Sequence, residues 1–305
     1  MRILIVGAGG IGGYYGGRLL EAGRDVTFLV RPERARKLAA AGLSIRSPFG
    51  DVHRSAPPTV LAGDLGEPFD LVLLSCKAYD LDEAVEAFAP AVGPGTAVLP
   101  LLNGMGHFDL LDRRFGAGRV LGGSCFISSA LDAEGAVVHF NRLHGLVFGE
   151  RNGERTPRAE ALEAQLCGAG FDGRLSGDIV QELWEKWVFI ASAAGITCLL
   201  RGSVGDIVAA GNAGLGVALL EECASVAAAH GHAPRAQSLE KARAILTEPG
   251  SAMTSSMFRD LEAGGRIEGG HIIGDLLRRG AGPLPMLALV DASLRTYQAR
   301  RAREA

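Results

Sequence analysis

Residues 2–6, RILIV, are an apolar run without alternation, the pattern of a parallel strand covered on both faces. From Tyr14 to Ala22 the apolar positions take up a helical spacing, and RDVTFLVR at 24–31 is a second β-branched run. The opening therefore predicts a βαβ unit. Further buried strands are predicted in FDLVLLSC (69–76), TAVLPLL (96–102), RVLGGSCFI (119–127) and GLVFGE (145–150), separated by helical or turn segments, which points to an α/β chain with a doubly wound sheet. Near Gly177 the pattern changes. DIVQELWEKWVFIASAAGITCLL reads as one long helix with Asp178 as its N-cap, and 205–231, 234–247, 251–280 and 285–303 continue as helices broken by Pro249, Gly250, Pro283 and Pro285. The predicted division is thus 1–176 for the sheet domain and 177–305 for an all-helical one.

Gly7, Gly9 and Gly12 satisfy Gly-x-Gly-x-x-Gly directly after the first strand and before the first helix. In a Rossmann unit the first glycine makes the tight turn, the second admits a pyrophosphate to the backbone and the third lets the helix pack closely, with free amides at the helix start holding the phosphates. Residues 7–12 (Gly7, Ala8, Gly9, Gly10, Ile11, Gly12) are therefore the expected dinucleotide loop. A carboxylate on the ribose 2′-hydroxyl normally closes the second strand, but Arg31 stands there, followed by Arg34 and Arg36. This favours a 2′-phosphate, hence NADPH over NADH; a solvated basic helix start is the other reading. Lys77 and Asn103 follow two further apolar strands, at the carboxyl ends where such sheets bind ligands. Either could be an ordinary turn residue.

Composition narrows the partners. The 305 residues are 48% hydrophobic and 21% charged with a net charge of −3, ordinary for a globular chain of two domains. The basic residues are scattered apart from Arg295, Arg300, Arg301 and Arg303, so nucleic acid is not an expected partner. Cys76, Cys125, Cys167, Cys198 and Cys223 form no CxxC pair and read as reduced, buried thiols. The seven histidines lack HExxH spacing, and no metal site is expected. The apolar opening is too short for a signal peptide, and runs such as VFIASAAGITCLL stop well short of about 20 residues, so a soluble, cytoplasmic protein is expected.

The chain resembles the ketopantoate reductases (2-dehydropantoate 2-reductases) almost end to end, through GAGGIGGYYGGRL with FLVR, SCKAYD, LLNGMG, ELWEKWVF and TSSMFRDLEAGGRIEGGHIIG. The resemblance implies a Rossmann domain followed by a helical domain related to that of 6-phosphogluconate dehydrogenase, with the active site in the cleft between them. It also implies an NADPH-dependent oxidoreductase that reduces the C2 carbonyl of a 2-oxo acid, with Lys186 as catalytic proton donor. By the same likeness Glu268 serves the nicotinamide end and the substrate hydroxyl, Ser256 binds substrate, and Asn103 and Lys77 lie near the cofactor. A homodimer is plausible, and ketopantoate as substrate would mean pantothenate biosynthesis. An ammonium beside a carbonyl stabilises the developing alkoxide and can protonate it, in an apolar setting that Trp184, Trp187 and Phe189 could supply. Pairing of Lys186 with Glu182 one turn earlier is the bland reading. One straight helix over 256–268 would hold Ser256 and Glu268 about 18 Å apart, so either Gly264 and Gly265 break it or the two touch different parts of the ligands.

Two departures matter. Family members that reduce ketopantoate usually carry asparagines four and eight residues after the lysine; here those positions are Ile190 and Ala194, whose side chains make no hydrogen bond. Cofactor and hydride chemistry are expected to be kept in a more apolar pocket. The approach to the last helix, RRGAGPLPML, is also shorter than usual. A 6-phosphogluconate or 3-hydroxy-acid type dehydrogenase is the second reading and a non-enzymatic NADPH sensor the third.

Overall fold

The computed structural model describes residues 1–304. They form two compact units, one of 1–102 with 107–180 and one of 103–106 with 181–304.

The first unit carries ten strands. β1 (Arg2–Val6), β2 (Asp25–Leu29), β5 (Thr59–Val60), β6 (Leu71–Leu74) and β7 (Ala97–Pro100) make one parallel sheet in the order β5-β2-β1-β6-β7. Four of the five residues of β1, and all of β6 and β7, are buried, which is why their apolar runs do not alternate. Helix α1 (Gly10–Glu21) follows β1, α2 (Pro32–Ala41) follows β2, and α3 (Leu81–Phe88) follows β6. Pro32 at the first position of α2 fits its fixed φ and missing donor.

Of the later strands predicted at 119–127 and 145–150, only the start of the first reaches that sheet, through an isolated parallel bridge of Val120 to Val98 in β7. They belong to β8 (Gly122–Leu131) and β9 (Val137–Gly149), an antiparallel pair in a second sheet with β3 (Leu43–Arg46), β4 (Val52–Arg54) and β10 (Asp172–Leu175), ordered β10-β9-β3-β4. A tight turn explains the pairing: Asp132 caps it, with its carboxylate accepting from Ala136 N at 2.8 Å. Helices α4 (His107–Phe115) and α5 (Pro157–Leu166) complete the unit. Its core gathers Ile3, Ile5, Phe28, Leu73 and Leu99 of the first sheet with Val137, Leu146 and Phe148 of the second.

The second unit is helical throughout its described residues: α6 (Ile179–Leu200, whose first two residues belong to the first unit), α7 (Val204–Ala209), α8 (Ala213–Ala229), α9 (Ala236–Leu246), α10 (Ser256–Glu262), a π-helical turn (Gly270–Gly274), α11 (Asp275–Arg279) and α12 (Pro285–Glu304). Two predicted helices are interrupted. The 205–231 segment breaks at Gly211, and 251–280 breaks at Gly264, whose φ of +70° lies in the left-handed region that ends helices. Gly265 N then donates to Asp260 O at 2.8 Å, closing the end of α10. At 22 residues α6 is long and apolar enough to cross a membrane, longer than the apolar run alone suggests, but 67% of its most apolar window is buried inside the protein, as in a core helix. None of the five cysteines is in a disulfide; Cys125, Cys198 and Cys223 are buried, while Cys76 and Cys167 are only partly covered.

Candidate active site

The glycine loop sits where the strand order of the parallel sheet reverses, because β1 has β2 on one side and β6 on the other. In such sheets this is the ligand crevice. Gly7 turns the chain at φ +92°, its N–H donating to Leu29 O at 2.9 Å. Ser75, just past β6, donates to Val6 O at 2.9 Å and to Gly7 O at 3.3 Å, so the ends of β1 and β6 are joined by one hydroxyl. Lys77 stands two residues further on, half-buried at the start of a short turn.

The glycines differ in what they admit. A methyl on Gly12 would strike the Gly7 carbonyl oxygen and Ser75 Oγ, and one on Gly10 would come within 2.7 Å of Ser129 O. These two are required by the protein's own packing. A methyl on Gly9 would meet nothing within 4 Å. Gly9 is the N-cap of α1 and brings no side chain to cap the first amides of this 12-residue helix. Packing therefore does not account for Gly9, whereas the approach of a diphosphate does, and the loop fits a dinucleotide. Ala8 is buried, and Gly10 and Ile11 begin the helix, half-buried.

Arg31 is exposed and reaches the start of α3, where its guanidinium pairs with Glu83 at 2.6 Å and Asp80 at 3.6 Å. Arg34 turns the other way: Nε donates to Ala8 O at 3.0 Å and Nη1 to Gly135 O at 2.9 Å. Arg36 is exposed.

In the second unit, Lys186 is half-buried on α6 beside Trp187, whose Nε1 donates to Ile272 O at 2.8 Å. That bond holds α6 against the π-helical turn. Glu268 lies just before the turn with 7% exposure, and its backbone carbonyl accepts from His271 N at 3.1 Å and Ile272 N at 2.9 Å. Asn103 joins the same group, since its backbone hydrogen-bonds the His271 imidazole. Burial pushes that imidazole below the usual histidine range, and the hydrogen bond to Asn103 works the other way. Trp187 and Trp184 are 1% and 3% exposed and give this stretch of α6 an apolar flank. His230, exposed, and His232, half-buried, stack on the Trp184 ring at 5.2 and 5.8 Å.

Ser256 stands apart. It is the exposed first residue of α10, and the capping role belongs to Ser255, whose hydroxyl accepts from Phe258 N at 3.0 Å and meets Thr197 Oγ1 at 3.1 Å. Thr197 lies three turns beyond Lys186, roughly 16 Å along α6. Between them, on the same side of α6, come Ile190, half-buried, and Ala194, 3% exposed. Sequence reasoning left out Ser75 and Ser255. Each lies inside a motif it did use, SCKAYD and TSSMFRDLEAGGRIEGGHIIG, and only the position of the hydroxyl distinguishes it.

Residues 3–153 match the family model described as "Ketopantoate reductase PanE/ApbA" and 178–298 its C-terminal counterpart. An "Uncharacterized oxidoreductase YkpB" of Bacillus subtilis is 41% identical over 99% of this chain and 100% of its own. A 2-dehydropantoate 2-reductase of Archaeoglobus fulgidus is 29% identical over 92% of this chain and 90% of its own. The crystal structure of 2-dehydropantoate 2-reductase from Methylococcus capsulatus superposes with a TM-score of 0.87 at 28% identity, covering 99% of this chain and 98% of that one. With both units matched and a relative alike from end to end, the chain belongs to the ketopantoate reductase family of oxidoreductases.

Proposed function

We propose that the protein is an NADPH-dependent reductase of 2-oxo acids whose side chain at C3 is more apolar than that of ketopantoate. The observation that carries the substrate class is the run along α6 from Lys186 through Ile190 to Ala194, which offers one cation and then two side chains without a donor or acceptor. A hydroxylated substrate bound there would lose two partners, and each buried unmet polar group costs about 1–3 kcal/mol.

The bound dinucleotide supplies a hydride to C2 of the oxo acid. Gly9 leaves the approach to the α1 amides open, and those amides hold the diphosphate. The Lys186 ammonium donates a hydrogen bond to the C2 oxygen, stabilises the charge that develops on it and transfers a proton to it, leaving a 2-hydroxy acid and a neutral lysine. Lys77, Asn103 and Glu268 are assigned to the nicotinamide end, and Ser256 to the far end of the substrate.

Arg31 is assigned to the 2′-phosphate. Its partners Glu83 and Asp80 are 68% and 23% exposed at the side chain, and exposed pairs contribute little, so a phosphate can displace them. Arg31→Ala is expected to raise the Kd for NADPH about 10- to 100-fold while that for NADH stays within about twofold, read by quenching of protein fluorescence. Equal losses for both dinucleotides would contradict the assignment.

For the substrate, kcat/KM with NADPH is compared between ketopantoate and 2-oxo acids with unbranched or branched alkyl side chains. The best alkyl substrate is expected to exceed ketopantoate by about 10- to 100-fold, the value of one or two unmet polar groups. Ile190→Asn is expected to narrow that gap. Ketopantoate turned over fastest by the wild type would sink the apolar-pocket reading.

A further inference from the structure

Arg34 is half-buried, and no carboxylate pairs with it among the described residues. Its Nε and Nη1 are used on two backbone carbonyls, Ala8 of the glycine loop and Gly135 of the turn between β8 and β9. Nη2 is buried and donates to nothing. Arginine stays protonated under all ordinary conditions, so this is a fixed positive charge within one residue of Gly9, held in a setting that disfavours it. Arg31 is unlike it, being exposed and already matched by two carboxylates. The fit around the Arg34 head is close, since a methyl on Gly135 would come within 2.7 Å of Nη1.

We propose that Arg34 is the cationic anchor of the dinucleotide loop. It fixes the Ala8 peptide against the β8–β9 turn, and its unmatched charge is balanced by the diphosphate when a dinucleotide binds. The proposal rests on the reading of this loop as a dinucleotide site. It gives Arg34 a positioning role through the loop and its electric field, without contact to the reacting atoms. It also separates the two arginines: Arg31 serves the 2′-phosphate and so only NADPH, whereas Arg34 serves the diphosphate and so both dinucleotides alike.

The test uses the full chain with Arg34→Met and Arg34→Lys. In ligand-free protein, backbone hydrogen exchange over residues 8–13 is expected to quicken about tenfold or more in Arg34→Met, because the loop loses its tie to the β8–β9 turn. The Kd values for NADPH and NADH are expected to rise together by about 10- to 100-fold. At saturating cofactor kcat is expected within about threefold of the wild type, as for a group that acts on binding alone. Arg34→Lys keeps the charge but has one ammonium for two carbonyls, so it recovers part of the affinity and little of the protection.

A folded Arg34→Met with wild-type loop exchange, or with both Kd values within twofold of the wild type, would overturn the proposal. So would a loss confined to NADPH, which would make Arg34 a reader of the 2′-phosphate. If Arg34→Met does not fold, Arg34→Lys carries the decision, and unchanged affinity together with unchanged exchange overturns it. A wild-type protein that binds neither dinucleotide overturns the dinucleotide reading and the charge-balancing role with it; exchange in the ligand-free loop still decides whether Arg34 holds the loop.

Discussion

Replacing Lys186 by Ala is expected to lower kcat by about 10²- to 10⁴-fold, the range set by loss of a positioned general acid, while the Kd for NADPH stays within about threefold. The ammonium is held on a helix whose register is fixed one residue later by the Trp187–Ile272 bond, so removing the side chain leaves a gap of defined shape rather than a collapsed segment. Two controls separate chemistry from packing. Lys186→Met keeps most of the apolar stem without the charge and is expected to be as slow as Lys186→Ala. A small primary amine added to Lys186→Ala is expected to restore part of the rate. Single-turnover oxidation of NADPH followed by absorbance checks both. A kcat within tenfold of the wild type would show that the proton comes from another group and that Lys186 is a surface-facing pair for its own helix.

Gly12→Ala and Gly9→Ala are both expected to weaken dinucleotide binding, but only the first at the expense of stability. At Gly12 the added methyl strikes the Gly7 carbonyl oxygen and Ser75 Oγ, so β1 and α1 must part and the bonds from Ser75 to Val6 O and Gly7 O are strained or lost. Overpacking of this kind costs about 1–3 kcal/mol, and more where backbone must move. A lower melting temperature for the free protein and weakened dinucleotide binding are both expected. At Gly9 the methyl enters open space, so the melting temperature of the free protein is expected within about 2 °C of the wild type, as for a change that touches no packed atom. Dinucleotide affinity is nevertheless expected to fall about tenfold or more, because the methyl occupies the approach to the α1 amides. Equal affinity for Gly9→Ala and the wild type, measured by calorimetry, would mean that the diphosphate lies elsewhere.

The parts of this architecture that sequence reveals are those where one physical rule acts alone. RILIV and LVLL are buried on both faces, so their composition names them as central parallel strands. The glycine motif is legible because strand, turn and helix each restrict the same few positions. The second sheet is not legible in this way. Its strands β3, β4 and β10 are only three or four residues long, too short for alternation to register, and β8 and β9 are apolar at one end and half-exposed at the other. Their assignment to a separate sheet depends on the antiparallel register from Gly122 with Gly149 to Leu131 with Val137, a long-range pairing that local pattern does not encode.

The site divides similarly. The helix break at Gly264 follows from a rule about left-handed residues, and the sequence poses it as one of two alternatives. The choice between Ser255 and Ser256 as the cap depends on where α10 begins, and helix ends are uncertain by one or two residues from pattern alone. Arg31 and Arg34 look alike in the sequence, three residues apart at the start of one helix. Only packing shows that one is exposed and paired with carboxylates while the other is drawn under the glycine loop.

The most direct measurement is isotope transfer. NADPH carrying deuterium at both C4 positions of the nicotinamide is incubated with the protein and the best alkyl 2-oxo acid, and the product is analysed by mass spectrometry and NMR. Stoichiometric deuterium at C2 of the 2-hydroxy acid, formed by the wild type and slowed at least about a hundredfold in Lys186→Ala, is the expected result. A product without deuterium at C2, or no product from any 2-oxo acid despite tight NADPH binding, would contradict the assignment of this chain as an NADPH-dependent 2-oxo acid reductase.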